Sequence, residues 1–331
     1  MSRHDQPAMK VTFLGNTTLH VADGETSILV DGFMSRCPLE EAFYPAGEDY
    51  KCKVRPARIY DYLAQGHVTG VDVIVVGHSH YDHALDFSYI AANIYPQAMI
   101  FGSNSTKTIG IGAGLDDSRF FPTAGNMPSI IKVGRFTVKL VPSTHGNPWV
   151  YQGEIESPEH FRGLNDPNIG AVASELNDGG VYTVIITHQG DNGDSRSLLV
   201  QNTAGYSADL PALSDSVDAV FMTVTGVGAP DLNDRENYYR NLVENTKARL
   251  VVPIHWDNFF EDLNDILNNP ETDPYIFSDN IPEALNWILE KTNSGDPVVR
   301  FYHQKFFETI DLYQDVSAYD PLRLNKIWTI K

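Results

Sequence analysis

Cysteine is scarce: the 331 residues include two, Cys37 and Cys52. That count excludes a disulfide-stapled secreted framework. One bridge between them would close a short loop, but cytosolic chains keep their thiols reduced, so two free thiols are expected. Long hydrophobic runs are missing too. No stretch approaches the roughly 18 apolar residues of a membrane-spanning helix. The segment Met1–Lys10 is polar and has no apolar leader core, so no signal peptide is expected and the cytoplasm is the expected location. Basic residues are in deficit, 24 Lys and Arg against 43 Asp and Glu, a net charge of -19. Nucleic-acid binding needs phosphates neutralised by Lys and Arg, and no run of basic residues offers a local patch. An anionic membrane surface is disfavoured for the same reason. There is no short-period repeat, which excludes a solenoid. Ser143 and Ser197 lie in no Gly-x-Ser-x-Gly elbow, so serine hydrolysis has no support. The glycine-rich Gly110–Gly114 lacks both the dinucleotide pattern and the Lys-Ser/Thr of a P-loop, and is read as a plain loop.

What is present suits a globular chain: 42% hydrophobic and 20% charged residues. Lys10–Gly15, Thr18–Ala22 and Thr26–Val30 are β-branched and apolar, broken at Gly15-Asn16 and Asp23-Gly24, and read as an antiparallel meander. Arg55–Gln65 has helical spacing, and Val71–Val76 is a short apolar run suited to a buried strand. A helical stretch follows at Ala84–Tyr95, and then strand Ala98–Phe101. Later strands are expected at Phe136–Val141, Val181–Thr187, Ser197–Gln201, Ala219–Val224 and Leu250–Pro253, with helices at Asn233–Thr246 and Pro282–Thr292. Strands and helices interspersed in this way, with adjacent strand pairs, fit an α/β arrangement of two packed sheets with helices outside. The longest stretch without periodicity, about 147–180, reads as a lid or a surface insertion.

The chemistry concentrates in Gly77-His78-Ser79-His80-Tyr81-Asp82-His83, directly after the apolar run Val71–Val76. His78 and His80 can face the same way, because side chains alternate along extended backbone. Asp82 and His83 then turn onto the other side of the same cavity. Imidazoles and a carboxylate together suit zinc, manganese or iron. His145 and His255 each follow a later strand, where sites collect in layered α/β folds. His188 ends a strand and reads as a turn histidine, with lining of the site as the alternative.

The His-x-His-x-Asp-His stretch, with His145 and His255, resembles the metallo-β-lactamase superfamily of hydrolases. The similarity runs over about residues 10–303. Within the superfamily, VTFLGNTTLHV, ILVDGFMSR and HSHYDHALD look most similar to the branch of ascorbate-phosphate lactonase and N-acyl phosphatidylethanolamine phospholipase D. The resemblance implies a single domain over 1–331, a four-layer αββα sandwich with metals at one edge between the sheets. It implies His78, His80 and His145 on one ion, and Asp82, His83 and His255 on the other. Asp31 would be a supporting aspartate behind the ligands. The ions would be one or two zinc, with manganese or iron also accepted by these ligands. The implied activity is hydrolysis of a small lactone, ester or phosphodiester by water that a dication has brought to a pKa of about 7. Asp82 would orient that water and move a proton, and His255 would steady the developing oxyanion. Tyr44, Trp149, Tyr206 and Trp256 are candidate walls for a small-molecule substrate. No nucleic-acid partner or membrane insertion is expected, and an oligomer is compatible with the sequence. A redox di-iron reading is disfavoured, since that branch generally carries Glu where this chain has His80.

The resemblance has one gap. The family usually carries a bridging aspartate in a Gly-Asp-Thr-like turn. Here the turn is Gln201-Asn202-Thr203-Ala204-Gly205-Tyr206, and Thr203 falls where the aspartate should be. A neutral hydroxyl is a poorer ligand, so one tight and one weak ion is the expectation. Asn202 or Asp209 could compensate, though neither is at the matching position. Thr203 also motivates a second reading, a weak or inactive member that keeps the fold for binding or regulation.

Overall fold

The structure, a computed structural model, describes residues 8–43, 51–125, 127–146, 151–191, 193–210, 216–228, 234–269, 271–276, 279–295 and 299–314. Two sheets face each other. In the first, β1 (Lys10–Phe13), β2 (Leu19–Ala22) and β3 (Ser27–Val30) form an antiparallel meander, as read from the sequence. β4 (Val73–Val75) and β5 (Met99–Phe101) extend it in parallel beside β3.

The second sheet contains β6 (Ser129–Val133), β7 (Phe136–Pro142), β8 (Tyr182–Gln189), β9 (Ser195–Gln201), β10 (Ala219–Thr223), β11 (Leu250–Ile254) and β12 (Arg300–Phe301). It is antiparallel from β6 to β9 and parallel from β9 to β12. The last strand among the described residues, β13 (Thr309–Asp311), returns to the first sheet beside β1. Each residue of β4, β10 and β11 is buried, which explains why those segments read as unbroken apolar runs.

Parallel pairing decides where the loops go. β3 and β4 run together in one sheet, and β9, β10 and β11 in the other; β7, antiparallel to β8 as β9 is, shares their direction. Loops leaving the carboxyl ends of strands in one sheet therefore gather at one edge.

Helices carry the outer layers. Pro56–Gln65 buries Ile59, Tyr62 and Leu63, and Ile281–Ser294 buries Ala284, Leu285, Trp287 and Ile288. The expected helix at Ala84–Tyr95 starts earlier, at Tyr81–Ala84, and ends in a wide π turn at Ile90–Ile94.

Two sequence expectations are corrected. Of Gly110–Gly114, read as a loop, the first three residues end a helix, Asn104–Gly112, capped by the Ser103 hydroxyl accepting from the Thr106 amide, and only Ala113 and Gly114 lie in a turn. The helix's glycines are spacers. A Cβ on Gly110 would lie 2.4 Å from Phe120, and one on Gly112 2.2 Å from the Pro158 carbonyl oxygen. Packing outweighs the low helix propensity of glycine here. The second correction concerns the cysteines. Cys37 and Cys52 are not free but bonded to each other, with Cα atoms 5.3 Å apart and both side chains buried. Cys52 is held from its other side by paired backbone bonds with Ala171. A bonded pair gives no ground for placing the chain in a reducing compartment.

Candidate metal centre

His78, His80, Asp82 and His83 leave β4 and enter the short helix Tyr81–Ala84. All four are buried, as is His255, while His145 is half-buried. His145 stands beyond β7 and His255 directly beyond β11. Two groups form. His78, His80 and His145 offer ligand atoms within 4.8 Å of one another, and so do Asp82, His83 and His255. The groups adjoin, with the His78 and His83 ring centroids 3.9 Å apart.

Donor spacing tests whether these residues fit a metal. A tetrahedral ion with Zn–N bonds of about 2.0–2.1 Å places neighbouring donors roughly 3.3 Å apart. His78 Nε2 and His80 Nδ1 are 3.1 Å apart. Asp82 Oδ2 lies 3.2 Å from both His83 Nε2 and His255 Nε2. The tautomers agree as well. The Tyr151 carbonyl oxygen, 3.1 Å away, accepts from His80 Nε2 and leaves Nδ1 free as a ligand. Asp31 Oδ2, 2.8 Å from His83 Nδ1, accepts its proton and leaves Nε2 free. The residues fit a metal.

Electrostatics point the same way. Burial, reinforced by His83, His80 and His145, pushes His78 well below the ordinary imidazole range. Burial also lowers His80. For Asp82, burial would raise the carboxyl, but His83 and His255 outweigh it and hold it well below the usual range. Burial opposes a charge on His83, yet Asp82 and Asp31 on its two sides push it up to about 10. A dication at Nε2 would take the place of that proton.

Asp31 anchors the support. Its Oδ2 accepts from the Thr17 hydroxyl at 2.5 Å and its Oδ1 from the Gly77 amide at 2.9 Å, besides His83. Asp31 and His255 both have left-handed backbone, φ 57° and 54°, which non-glycine residues rarely adopt and which clusters at functional sites. The His255 turn is clamped on two sides. Its amide donates to the Asn16 carbonyl at 2.7 Å, and its carbonyl accepts from the Thr225 amide at 3.1 Å. Asn16 also donates from Nδ2 to the Asp82 carbonyl at 2.6 Å. Asp257 Oδ1 accepts from the Asn16 amide at 2.8 Å, and Asp257 Oδ2 pairs with Arg36 at 2.6 Å. Arg36 is wholly buried. Gly15, at φ 93°, leaves it room, since a Cβ there would lie 2.0 Å from the guanidinium.

His80, Asp82, His83, His145 and His255 line a cavity of about 170 Å³, whose walls include Thr203, Ala204, Thr225 and Phe259. A larger cavity of about 780 Å³ lies against β1, β2 and β13 and includes none of the six ligands. The chemistry, not the volume, marks the smaller one.

The proposed substrate walls fare differently. Trp149 and Tyr44 lie outside the described residues. Trp256 does not line the cavity. Its indole packs against His303, Phe306 and Phe13, with ring centroids 4.6, 5.1 and 6.2 Å away, because consecutive residues leave a chain on different sides. Tyr206 is also outside the lining, and its hydroxyl bonds Asp234. Thr203 does line the cavity, and its hydroxyl accepts from the Gly146 amide at 3.1 Å, tying the His145 turn to the end of β9. Asp209 is exposed and off the cavity. His188 is buried in β8 between Asp23 and Tyr313, with no part in the site. The described residues of the 147–180 stretch touch the His78–His83 segment at two points. The Asp178 carbonyl accepts from the Ser79 amide at 2.9 Å, and Tyr151 holds His80. Sequence reasoning gave no site role to Asn16, although it stands within VTFLGNTTLHV, nor to Phe259, which stands in a turn with no motif around it.

No protein-family model matches the sequence, and no curated protein matches it. Solved structures do resemble the fold. Igni18, a metallo hydrolase from the hyperthermophilic archaeon Ignicoccus hospitalis, aligns with a TM-score of 0.53 at 14% identity over 93% of this chain and 100% of its own. The isothiocyanate hydrolase from Delia radicum gut bacteria aligns at 0.51 and 15% identity, over 91% and 98%. CmlA, a diiron β-hydroxylase from Streptomyces venezuelae, aligns at 0.52 and 13% identity, over 93% of this chain and 54% of its own. At these identities the likeness is one of fold. The chain has the mixed α/β, two-sheet architecture of the metallo-β-lactamase fold.

Proposed function

We propose that this chain is a metal-dependent hydrolase of a small lactone, ester or phosphodiester, with zinc as the resident ion. The observation that carries the reading is the convergence of His78, His80 and His145 beside Asp82, His83 and His255. The first group would hold one ion and the second group the other. When bound, the metal supplies Lewis acidity and a water of lowered pKa. The chain's own groups supply the rest. Asp82 is the one carboxylate among the six ligands, held ionised by His83 and His255, and is placed to accept a proton from the attacking water. His255 stands on the same wall, where charge on a substrate oxygen would build up. The cavity seats only a small reacting group. The neighbours named as hydrolases lend support through their fold alone.

A second reading, a binding or regulatory scaffold, rests on Thr203, whose hydroxyl stands where the resemblance calls for a carboxylate. Metal content separates the two. Protein purified without chelators is expected to carry one or two ions per chain, with loss in a His80→Ala control. Hydrolysis of a lactone or phosphodiester by the natural chain then supports the enzyme. No bound metal after loading with zinc or manganese, or hydrolysis only in Thr203→Asp, refutes it.

A further inference from the structure

Asn202 follows β9 and lines the metal cavity beside His80, Asp82, His83, His145 and His255. Its side chain is fully buried, and Oδ1 has no hydrogen-bond partner. Its Nδ2 lies 3.3 and 3.4 Å from the two oxygens of Asp31. A carboxylate only accepts, so the amide must present its NH2 end to Asp31, and the position of Oδ1 follows. Gly77 completes the clamp, because a Cβ there would lie 1.5 Å from Nδ2. An amide oxygen buried without a partner is costly and calls for a reason. Amide oxygens are established ligands of cations.

We propose that Asn202 Oδ1 is a further metal ligand, a neutral oxygen donor added to the two groups. The inference rests on the metal-hydrolase reading. With it, the donor set is five imidazoles, one carboxylate and one amide. A single carboxylate leaves two dications poorly compensated, so the ion that Asn202 contacts is the weaker of the two, and its affinity depends on this side chain. Asn202 then partly fills the role that Thr203 leaves open.

The test uses the full chain, stripped of metal and titrated with zinc by calorimetry. The absorption spectrum of the cobalt-loaded protein serves as a second readout. The variants are Asn202→Leu and Asn202→Asp, with His145→Ala as a control on the metal centre. Asn202→Leu is expected to weaken the lower-affinity zinc site at least tenfold and to change the cobalt spectrum. Asn202→Asp is expected to tighten that site at least tenfold. The proposal is overturned if Asn202→Leu binds within twofold of the natural chain with an unaltered spectrum while His145→Ala loses an ion. It is also overturned if Asn202→Asp weakens zinc, since the residue then acts only by donating to Asp31. That second variant decides the matter if Asn202→Leu does not fold. If His145→Ala keeps its full metal content, the metal-hydrolase reading itself has failed, and this inference with it.

Discussion

Replacing Arg36 with Met probes the support of the His255 turn. Arg36 and Asp257 are wholly buried and 2.6 Å apart, and Asp257 in turn holds the Asn16 amide. Without the guanidinium, Asp257 keeps one amide donor and an uncompensated buried charge. Breaking a buried pair from one side typically costs about 3–5 kcal/mol. Unfolding a chain of 331 residues carries an entropy near 0.7 kcal/mol/K, from about 2.1 cal/mol/K per residue. The expected fall in Tm is then about 4–7 °C. Asp257→Leu should cost a similar amount, because it strands Arg36, whose Nε and Nη2 have no hydrogen-bond partner. The double variant removes both charges and should recover most of the loss, as buried pairs exchanged for apolar side chains often do. The assay is thermal and urea unfolding of all four proteins in metal-free buffer, analysed as a double-mutant cycle. If the two single losses simply add in the double variant, Arg36 and Asp257 do not act as a pair and the reasoning fails.

Three further expectations can be measured directly. Asp31→Ala removes the acceptor that fixes the His83 tautomer, so zinc affinity should fall about 10- to 100-fold with the ligands themselves intact; unchanged affinity would mean that His83 is oriented by other contacts. The Cys37–Cys52 bond spans 15 residues, and a loop of that size contributes about 3 kcal/mol, so Cys52→Ser should lower Tm by about 4 °C; equal Tm values with and without reductant would refute the contribution. His20 is buried in β2, and that burial lowers it from 6.5 to about 4. Between those values the unfolded chain binds more protons, so this contribution is complete above pH 6.5 and is lost as the pH falls toward 4, by up to about 3 kcal/mol. His20→Asn should flatten the stability profile across that window, and an unchanged slope would assign the acid sensitivity elsewhere.

The parts of the fold legible in the sequence are those that local pattern controls. The β1–β3 meander, β4 and the long helix near 281–294 carry clear periodicity and breaks. The His78–His83 cluster is legible because its members are close in sequence at a strand end. His145 and His255 gain meaning only once that cluster is known. The rest depends on contacts that no window of sequence contains. Helix Asn104–Gly112 is hidden by glycines whose reason is Phe120 and Pro158. The cysteine spacing says nothing of how closely the two Cα atoms approach. Trp256 misleads because it adjoins His255 in sequence while its ring faces the core. Short strands such as Arg300–Phe301 and Thr309–Asp311 are defined by their partners alone.

Each ligand group draws from both sheets. His78 and His80 hang from the first sheet and His145 from the second; Asp82 and His83 hang from the first and His255 from the second. An ion in either group would therefore rivet one half of the sandwich to the other. Refolding should then show secondary structure forming before zinc is taken up, with uptake timing the docking of the halves. A chelator should act on the folded chain as a wedge, speeding unfolding and exposing the seam between the sheets to proteases.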